Sequence, residues 1–349
     1  MYMKRVLVIF GGCSTEYEVS LTSASAVLAV IDRSRYEVLH LGITREGGVY
    51  YYEGGEDKIA NNTWQEEYCY PATISMSRGT PTLWVEREGR LEKICFDIAF
   101  PILHGKCGED GTLQGLCEMA GIPLAGCDME SSVIGMDKVL AHTLVSLAGI
   151  RVPKSIAISS MADFAEKQAE IEKLGFPLFV KPVRAGSSFG ISRVLKWEDM
   201  EDAVKEAFLH DKKVVIEESI SGFEVGCAVM GNEELTLGRV DEIELSQGFF
   251  DYEEKYTLKT SSIHMPARIS EEEEQRIKET AAKIYRTLGC RGFTRVDMFF
   301  TKEKEIVFNE INTIPGFTSH SRFPNMMKGV GMEFGEVVDQ VLELAVDTR

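Results

Sequence analysis

The chain has 349 residues, of which 44% are hydrophobic and 27% are charged, and this length predicts two or three domains of an ordinary globular protein. The formal net charge of -17 argues against a nucleic-acid or anionic-membrane partner, and no apolar run approaches the roughly 18 residues that cross a bilayer. The eight cysteines form no C-x-x-C pair and no zinc-type spacing. The apolar run near the start, Val6–Phe10, is too short for the apolar region of a secretion signal. The cysteines are therefore predicted to be reduced thiols in a cytoplasmic protein.

Strands and helices alternate along the first third of the chain. A strand at Val6–Phe10 precedes a helix at Val19–Ile31 and a strand at Tyr36–Thr44, and a strand at Phe96–Leu103 precedes a helix at Leu113–Met119. This alternation predicts a parallel α/β sheet. Ligands of such sheets bind at the carboxyl ends of strands, where the polar segments GGCSTEYEVS and HGKCGEDGT stand.

A smaller α+β section follows the predicted helix MDKVLAHTLVSLAG, which ends at Gly149. The segment LFVKPVRAGSSFGISRV predicts two strands joined by a Gly-Ser loop, WEDMEDAVKEAFLH predicts a helix and KVVIEESI a strand. The last third is rich in strands. Its strongest helix begins with four glutamates, which complement the helix dipole, and ends at Gly289. The tail at 334–346 predicts an amphipathic helix.

The last two predicted strands, RVDMFF and NEIN, carry acidic side chains among apolar neighbours. Glu310 and Asn312 are two residues apart, so they face the same side of a strand, and Asp297 can face them from the preceding strand. Two carboxylates and an amide oxygen suit Mg²⁺. Arg295 points the same way as Asp297 and can stabilise an oxyanion. A solvent-exposed strand face is the alternative, and the apolar flanks argue for a sheltered cleft.

Three further segments have simpler alternatives, and for the first two the simpler alternative would be preferred if the segment stood alone. KPVRAGSSFG, which begins with Lys181, can cover phosphates or form a hairpin turn. Glu217 and Glu224 can bind adenine and ribose or lie solvated. GFFDYEEKYTLK is rich in aromatic residues, which predicts an ordered loop with Lys255 and Tyr256 in an active-site lid or a packed surface loop.

Seven motifs, in this order, resemble those of the D-alanine–D-alanine ligases of the ATP-grasp superfamily, over essentially the whole chain. They are GGCSTEYEVSL, HGKCGEDGT, MDK, KPVRAGSSFG, EKY, RVD and NEINTIPGFTSHS. Within this family the chain is most similar to VanG-type D-alanine–D-serine ligases. The similarity lies in AGSS where many members have EGSS, in FFDYEEKY, and in Arg322 after TSHS.

The resemblance implies an ATP-grasp fold of the α/β class, with a parallel-sheet N-terminal domain and two α+β domains that clamp ATP. The implied domains are residues 1–127, which bind D-alanine, residues 128–220, and residues 221–349, which carry the metal site and the lid. It also implies ATP and two Mg²⁺ ions as cofactors, with Mn²⁺ as a substitute for Mg²⁺. The implied substrates are D-alanine and D-serine, and the implied assembly is a homodimer. In the implied reaction ATP phosphorylates the carboxylate of D-alanine, and the amine of a second substrate attacks the acyl phosphate.

The resemblance further implies a role for each matching residue. The catalytic residues are Glu16, Ser187, Tyr256, Arg295 and Gly316. The residues that contact ATP are Lys138, Lys181, Glu217, Glu224 and Lys255. The metal ligands are Asp297, Glu310 and Asn312. The substrate-binding residues are His104, Ser321, Arg322, Asp241 and Phe250.

The expectation that the second substrate is D-serine rests on Arg322, because D-alanine–D-alanine ligases usually have an apolar residue at that position. A buried guanidinium beside a methyl group would leave donors unpaired, whereas the hydroxyl of D-serine gives it an acceptor. Asp241 can pair with Arg322 and orient it, and Phe250 can wall the pocket. A solvent-facing or purely structural arginine is the alternative.

The motifs and Arg322 favour an ATP-dependent D-alanine–D-serine ligase, which would lower the affinity of vancomycin for cell-wall precursors, and four other functions are alternatives. The close rival is a D-alanine–D-alanine ligase of normal cell-wall synthesis. A D-alanine–D-lactate ligase resembles the chain less around the lid, where EKY is intact. A non-catalytic ATP-binding sensor would have lost metal or oxyanion residues, and another ATP-grasp ligase or carboxylase would not need GGCSTEYEVS.

Overall fold

The computed structural model describes residues 3–186, 189–245 and 261–346, whose strands form three sheets. The strands of the first sheet are β1 (Lys4–Gly11), β2 (Tyr36–Ile43), β3 (Val49–Tyr52), β4 (Cys69–Ile74), β5 (Thr82–Arg87), β6 (Arg90–Cys95) and β7 (Ile98–Ile102). Their order is β6-β5-β4-β3-β2-β1-β7. β1 pairs in parallel with β2 and β7, and the remaining pairs are antiparallel. The predicted α/β class is confirmed, and β3 to β6 extend the parallel part as a meander that the sequence analysis did not assign.

The second and third sheets are antiparallel throughout. The second sheet consists of β8 (Ser155–Ile158), β9 (Leu178–Pro182), β10 (Ser192–Val194) and β11 (Val214–Glu218), in the order β10-β9-β11-β8. The third consists of β12 (Gly222–Gly231), β13 (Leu235–Leu245), β14 (Ser261–His264), β15 (Phe293–Thr301) and β16 (Ile306–Asn312), in the order β14-β13-β12-β15-β16. The three sheets are formed by consecutive parts of the chain. The domain boundaries predicted after residues 127 and 220 stay predictions.

Helices cover the sheets and connect them. They are α1 (Tyr17–Val30), α2 (Glu56–Ala60), α3 (Thr112–Ala120), α4 (Met129–Met136), α5 (Lys138–Leu147), α6 (Met161–Glu166), α7 (Gln168–Glu172), α8 (Met200–His210), α9 (Glu271–Thr287), α10 (Arg322–Lys328) and α11 (Phe334–Leu344). Among the helices in the described part of the chain, none is both long enough and apolar enough to cross a membrane.

The turn after β1 needs a glycine. Gly11 has a φ of +90°, and a Cβ atom there would lie 2.1 Å from the carbonyl oxygen of Ile43. Ser20 of α1 closes this turn, because its hydroxyl accepts from the Gly11 N–H at 2.8 Å and donates to the carbonyl of Ile102. The start of α1 is thereby held at the carboxyl ends of β1 and β7, where a ligand site is expected.

The C-terminal part of the chain packs against the first sheet and α1. Phe317 is fully buried and contacts the rings of Phe100 in β7 and Phe293 in β15. Hydrophobic residues of α11 join the same core. Arg35, after α1, pairs with Asp339 and Glu343 of α11 at 2.9 and 2.5 Å. The first and third sheets therefore share a hydrophobic core.

Candidate active site

β15 and β16 bring the predicted metal ligands together. Asp297 lies opposite Glu310 in the ladder, and Arg295 lies opposite Asn312. Nε of Arg295 donates to Oδ1 of Asp297 at 2.8 Å, and Nη2 donates to Oδ2 at 2.7 Å. Nδ2 of Asn312 donates to the same Oδ2 at 2.9 Å. The strand pair thus forms a cluster with two carboxylates, one amide and one guanidinium.

The donor set of this cluster fits a hard divalent cation, because carboxylate and amide oxygens are the ligands that Mg²⁺ prefers. Within the described residues, no group of three or more His, Cys, Asp and Glu side chains is arranged for a metal ion. Asn312 would therefore complete the set with Asp297 and Glu310. Its Nδ2 faces Asp297 in this arrangement, so its amide oxygen is the atom that remains for a cation.

Arg322, the first residue of α10, is held by carboxylates from three strands. Its Nε and Nη2 each donate to Asp241 of β13 at 2.7 Å, which makes the pair bidentate. Its Nη1 donates to Glu224 of β12 at 3.2 Å and lies 3.3 Å from Oδ1 of Asp297. Burial acts to lower the pKa of Arg322, but the charges of Asp241 and Asp297 outweigh it and raise that pKa well above its usual value. The pairing predicted between Arg322 and Asp241 is present, and Arg322 stays charged.

Gly226 of β12 makes room for this ion pair. A Cβ atom at this position would lie 2.3 Å from Nη2 of Arg322 and 2.8 Å from Oδ1 of Asp241. The backbone N–H of Gly226 also donates to Oδ1 of Asp241 at 3.0 Å. Any larger residue would displace the guanidinium, so the absence of a side chain at Gly226 is part of the site.

Among the predicted ATP residues, Lys138 lies beside the predicted metal ligand Glu310, and Lys181 pairs with Glu217. Nζ of Lys138 donates to the carbonyl of Ala185 at 2.9 Å and lies 3.7 Å from Oε2 of Glu310. Nζ of Lys181 in β9 lies 2.7 Å from Oε2 of Glu217 in β11. Burial acts to raise the pKa of Glu217, but the neighbouring basic groups, Lys181 first among them, together outweigh it and lower that pKa, which favours the ionised carboxylate. Both lysines and Glu217 are buried.

His142 belongs to the same cleft, although the sequence analysis did not select it. It lies one turn after Lys138 on α5, is 4% exposed, and its ring packs edge-on against Phe308. Its Nε2 lies 2.7 Å from the carbonyl oxygen of Asn309, and its Nδ1 lies 3.6 Å from Oε1 of Glu217. The i, i+4 spacing from Lys138 in the MDK motif was the signal in the sequence that could have found it.

Glu16 lies where three segments meet. A Cβ atom on Gly105 or on Gly186 would come within 2.6 or 2.9 Å of its Oε2, so Glu16 contacts the backbone of the HGK loop and of the Gly-Ser loop. His104 is buried nearby. Its Nδ1 donates to the carbonyl of Ile314 at 2.9 Å, and its Nε2 lies 3.3 Å from the hydroxyl of Ser23. Burial lowers the pKa of His104 despite the opposing charge of Glu16, which favours a neutral ring.

Glu109, in the HGKCGEDGT motif, is a second residue that the sequence analysis left without a role. Its Oε2 accepts from the N–H of Gly105 at 2.9 Å, and its Oε1 accepts from the N–H of Ile314 at 3.0 Å. It therefore joins the loop after β7 to the loop after β16. Burial, followed by the charge of Glu16, raises the pKa of Glu109 to about 8. Its place in the HGKCGEDGT motif, five residues after His104, was the available signal.

Ser321 and Gly316 adjoin each other at the start of α10. A Cβ atom on Gly316 would lie 3.1 Å from the Ser321 hydroxyl, which accepts from the N–H of Thr318 at 3.1 Å.

Four predicted site residues lie outside the described residues, and their roles stay predictions: Ser187, Phe250, Lys255 and Tyr256. All eight cysteines lie within the described residues and are free thiols.

Comparison with known proteins gives a consistent result along the chain. Residues 5–127 match the family model described as D-ala D-ala ligase N-terminus, and residues 144–343 match D-ala D-ala ligase C-terminus. The crystal structure of the VanG D-Ala:D-Ser ligase from Enterococcus faecalis is 55% identical, covers 99% of this chain and 100% of its own, and superposes with a TM-score of 0.91. The vancomycin B-type resistance protein VanB of Enterococcus faecalis is 44% identical over 98% of both chains. The vancomycin C-type resistance protein VanC1 of Enterococcus gallinarum is 42% identical over 99% of this chain and all of its own.

Proposed function

The chain belongs to the D-alanine–D-alanine ligase family and is an ATP-dependent D-Ala–D-X ligase, and from this premise we propose that its second substrate is D-serine. The family resemblance and the ATP-grasp fold expected from the seven motifs are confirmed by the matches to both family models and to solved structures. The observation that carries the D-serine proposal is the Arg322 guanidinium, which is held by Asp241 and belongs to a side chain only 10% exposed. The solved D-Ala:D-Ser ligase, at 55% identity, supports the same choice.

The guanidinium can serve a substrate hydroxyl because its orientation is set and its donors are not exhausted. Within the described residues, its hydrogen bonds to Asp241 and Glu224 use three of its five N–H groups. A D-serine hydroxyl would accept from a remaining N–H, whereas the methyl group of D-alanine would leave that donor buried and unpaired. A site built to hydrogen-bond a hydroxyl discriminates strongly against an analogue that lacks it.

Other predicted site residues would bind the ATP and the divalent cations that the ligation reaction needs. Bound ATP supplies the phosphoryl group that activates the D-alanine carboxylate, and divalent cations neutralise its phosphates. We assign the phosphates to Lys138, Lys181 and Lys255, the adenine to Glu217 and the ribose to Glu224. Two Mg²⁺ ions, or Mn²⁺ in their place, would be held by Asp297, Glu310 and Asn312.

The proposed substrate contacts follow the loops around the cleft. Glu16 would hold the ammonium of the first D-alanine, with Ser187 and Tyr256 as its partners, and His104 would face the carboxylate. The guanidinium of Arg295 and the N–H of Gly316 would stabilise the negative oxygen of the tetrahedral intermediate. Ser321 would bind the carboxylate of the second substrate. A homodimer remains part of the proposal.

Two alternative functions predicted from the sequence are a non-catalytic ATP-binding sensor and a D-alanine–D-alanine ligase. The non-catalytic sensor is set aside because the chain belongs to a family of ligases. The D-alanine–D-alanine ligase is the second candidate function, and the descriptions of both family models favour it. Formation of D-Ala–D-Ser would connect the chain with vancomycin resistance, which the names of VanB and VanC1 state for those relatives.

The test is product analysis by mass spectrometry with ATP, Mg²⁺ and equal D-alanine and D-serine. We expect mainly D-Ala–D-Ser from the wild-type chain. In Arg322→Leu the ratio of D-Ala–D-Ser to D-Ala–D-Ala should fall about 10-fold or more, because a hydrogen bond to a charged group contributes roughly 1.5–3 kcal/mol.

Arg239→Leu is the matched control, because Arg239 lies on the same sheet but pairs with Glu274 at 2.8 Å, away from the cleft. It should leave the product ratio unchanged. Thermal unfolding of each variant establishes that the chain is folded at the assay temperature. Mainly D-Ala–D-Ala from both the wild type and Arg322→Leu would reject D-serine and identify the chain as a D-alanine–D-alanine ligase.

A further inference from the structure

His142 lies between the two strands that flank the proposed nucleotide side of the cleft. Its Nε2 contacts the carbonyl of Asn309 in β16, directly before the predicted metal ligand Glu310. Its Nδ1 faces Oε1 of Glu217 in β11. Lys138 precedes it by one turn on the same face of α5, so one helix carries a predicted phosphate-binding lysine and this histidine.

The hydrogen bond to Asn309 determines the tautomer of the ring. A carbonyl oxygen only accepts, so at 2.7 Å the Nε2 of His142 must carry a proton. In the neutral ring Nδ1 then has only a lone pair, and that lone pair faces a carboxylate oxygen 3.6 Å away. Burial lowers the pKa of His142 although Glu217 acts in the opposite direction, which favours this neutral form.

Two buried acceptors therefore face each other without a donor between them. Within the described residues, Nδ1 of His142 and Oε1 of Glu217 are both buried and have no hydrogen-bond partner. The other carboxylate oxygen, Oε2, is paired with Lys181 at 2.7 Å. A buried acceptor without a partner costs free energy, and a ligand that brings a donor recovers it. His142 thus keeps one oxygen of Glu217 available, where a donor side chain would have occupied it.

We propose that His142 is a positioning residue for nucleobase recognition, which holds Glu217 with Oε1 available to accept from an amino group of the base. The ligand class is a 6-aminopurine nucleotide. A 6-oxopurine would present a carbonyl oxygen to the carboxylate, so two acceptors would meet and binding would be weakened. This inference rests on the proposed contact between Glu217 and adenine, and it is independent of the choice of second substrate.

The test compares binding of ADP and inosine diphosphate by isothermal titration calorimetry at pH 7.5 with Mg²⁺. The wild-type chain should prefer ADP. His142→Leu removes the link to Asn309 and lets Glu217 turn, so the preference for ADP over inosine diphosphate should fall about tenfold, which corresponds to the loss of one hydrogen bond. His142→Gln keeps an amide N–H for the Asn309 carbonyl and an acceptor beside Glu217, and it should restore most of the preference.

Two other results of this titration would contradict the proposal. An unchanged preference in His142→Leu, or an equal loss of affinity for both nucleotides, would overturn the role of His142 and leave a merely structural residue. Failure of the wild-type chain to bind either nucleotide would overturn both this inference and the assignment of the cleft to ATP. The D-Ala–D-Ser product ratio is measured separately, so failure of the D-serine proposal does not change the result for His142.

Discussion

Arg322 and Arg295 are largely buried cations, with side chains 10% and 12% exposed, that share the carboxylate of Asp297. Asp241 and Glu224 add two further negative charges around Arg322. Burying a charge is costly unless it is paired, and removing one partner of a buried pair costs about 3–5 kcal/mol because the other charge is left uncompensated. The residues that we assign to substrate choice are therefore also part of the stability of the third sheet, and each variant needs an unfolding curve beside its activity.

Glu109 predicts a pH dependence of stability. The pKa of its carboxyl is raised from 4.5 to about 8 in the folded chain, so between these values the folded state binds more protons than the unfolded state. Its contribution to the free energy of unfolding is therefore present at low pH and decreases as the pH rises through about 8. In Glu109→Gln this slope, at most about 1.4 kcal/mol per pH unit, should disappear.

Urea unfolding at pH 5.5, 7 and 8.5 measures this slope. Glu130→Gln, which changes an exposed carboxylate of α4, is the control and should keep the wild-type slope. The same slope in Glu109→Gln as in the wild type would show that Glu109 is already ionised at pH 5.5, with its charge compensated by the N–H groups of Gly105 and Ile314.

At the scale of elements, helix ends follow local sequence signals closely. Gly149 and Gly289 have φ values of +79° and +67° and stand directly after the last turns of α5 and α9, as predicted. At the other end of α9, Ser270 and Glu273 form a capping box, in which each side chain accepts from the backbone N–H of the other residue. These contacts span only a few residues, so tertiary packing does not need to create them.

Ser270→Ala should lower the free energy of unfolding by about 1 kcal/mol, because the N–H of Glu273 loses its acceptor at the start of α9. The measurement is urea unfolding followed by circular dichroism. Thr280→Ala, in the middle of the same helix, also removes a hydroxyl, but that hydroxyl donates to the carbonyl oxygen of Arg276 and satisfies no backbone N–H. It should change stability by less than about 0.5 kcal/mol. Equal losses in the two variants would contradict a capping role.

At the scale of the whole molecule, the C-terminal segment joins the first sheet to the third. Phe317 contacts aromatic rings from β7, β15, α10 and α11, with centroid distances of 6.2 Å to Phe100, 5.1 Å to Phe293, 5.7 Å to Phe323 and 5.5 Å to Phe334. Gly316, which we assign to the oxyanion, immediately precedes it. The position of that N–H therefore depends on a core built from both ends of the chain.

Phe317→Ala should destabilise the chain by about 3–5 kcal/mol, because it opens a cavity where these elements meet. Arg35→Ala also removes contacts between the two ends of the chain, but its partners are solvent-accessible, and it should cost no more than about 1 kcal/mol. Guanidinium unfolding at equilibrium compares the two variants. A larger loss in Arg35→Ala would mean that the ion pairs, and not the shared core, join the sheets.

The sequence was sufficient for those features that depend on local pattern or on motif identity. The α/β class follows from alternating strands and helices, and the helix ends follow from glycines and a capping serine. The placement of Glu310 and Asn312 on one side of β16 follows from the period of a strand. The family follows from seven motifs that occur in the family's order along the chain. None of these conclusions required knowledge of which distant segments touch.

Tertiary structure alone decided which distant residues share a buried charge or a hydrogen bond. Glu109 joins Ile314 across 205 positions, and His142 joins Asn309 across 167, and neither partner is indicated by local sequence. Gly226 has a role only because Arg322 and Asp241 pack against it. The antiparallel strands β3 to β6 were likewise missed, because strand pairing depends on long-range contacts. Charge pairing and burial depend on separation in space, and separation along the chain does not determine it.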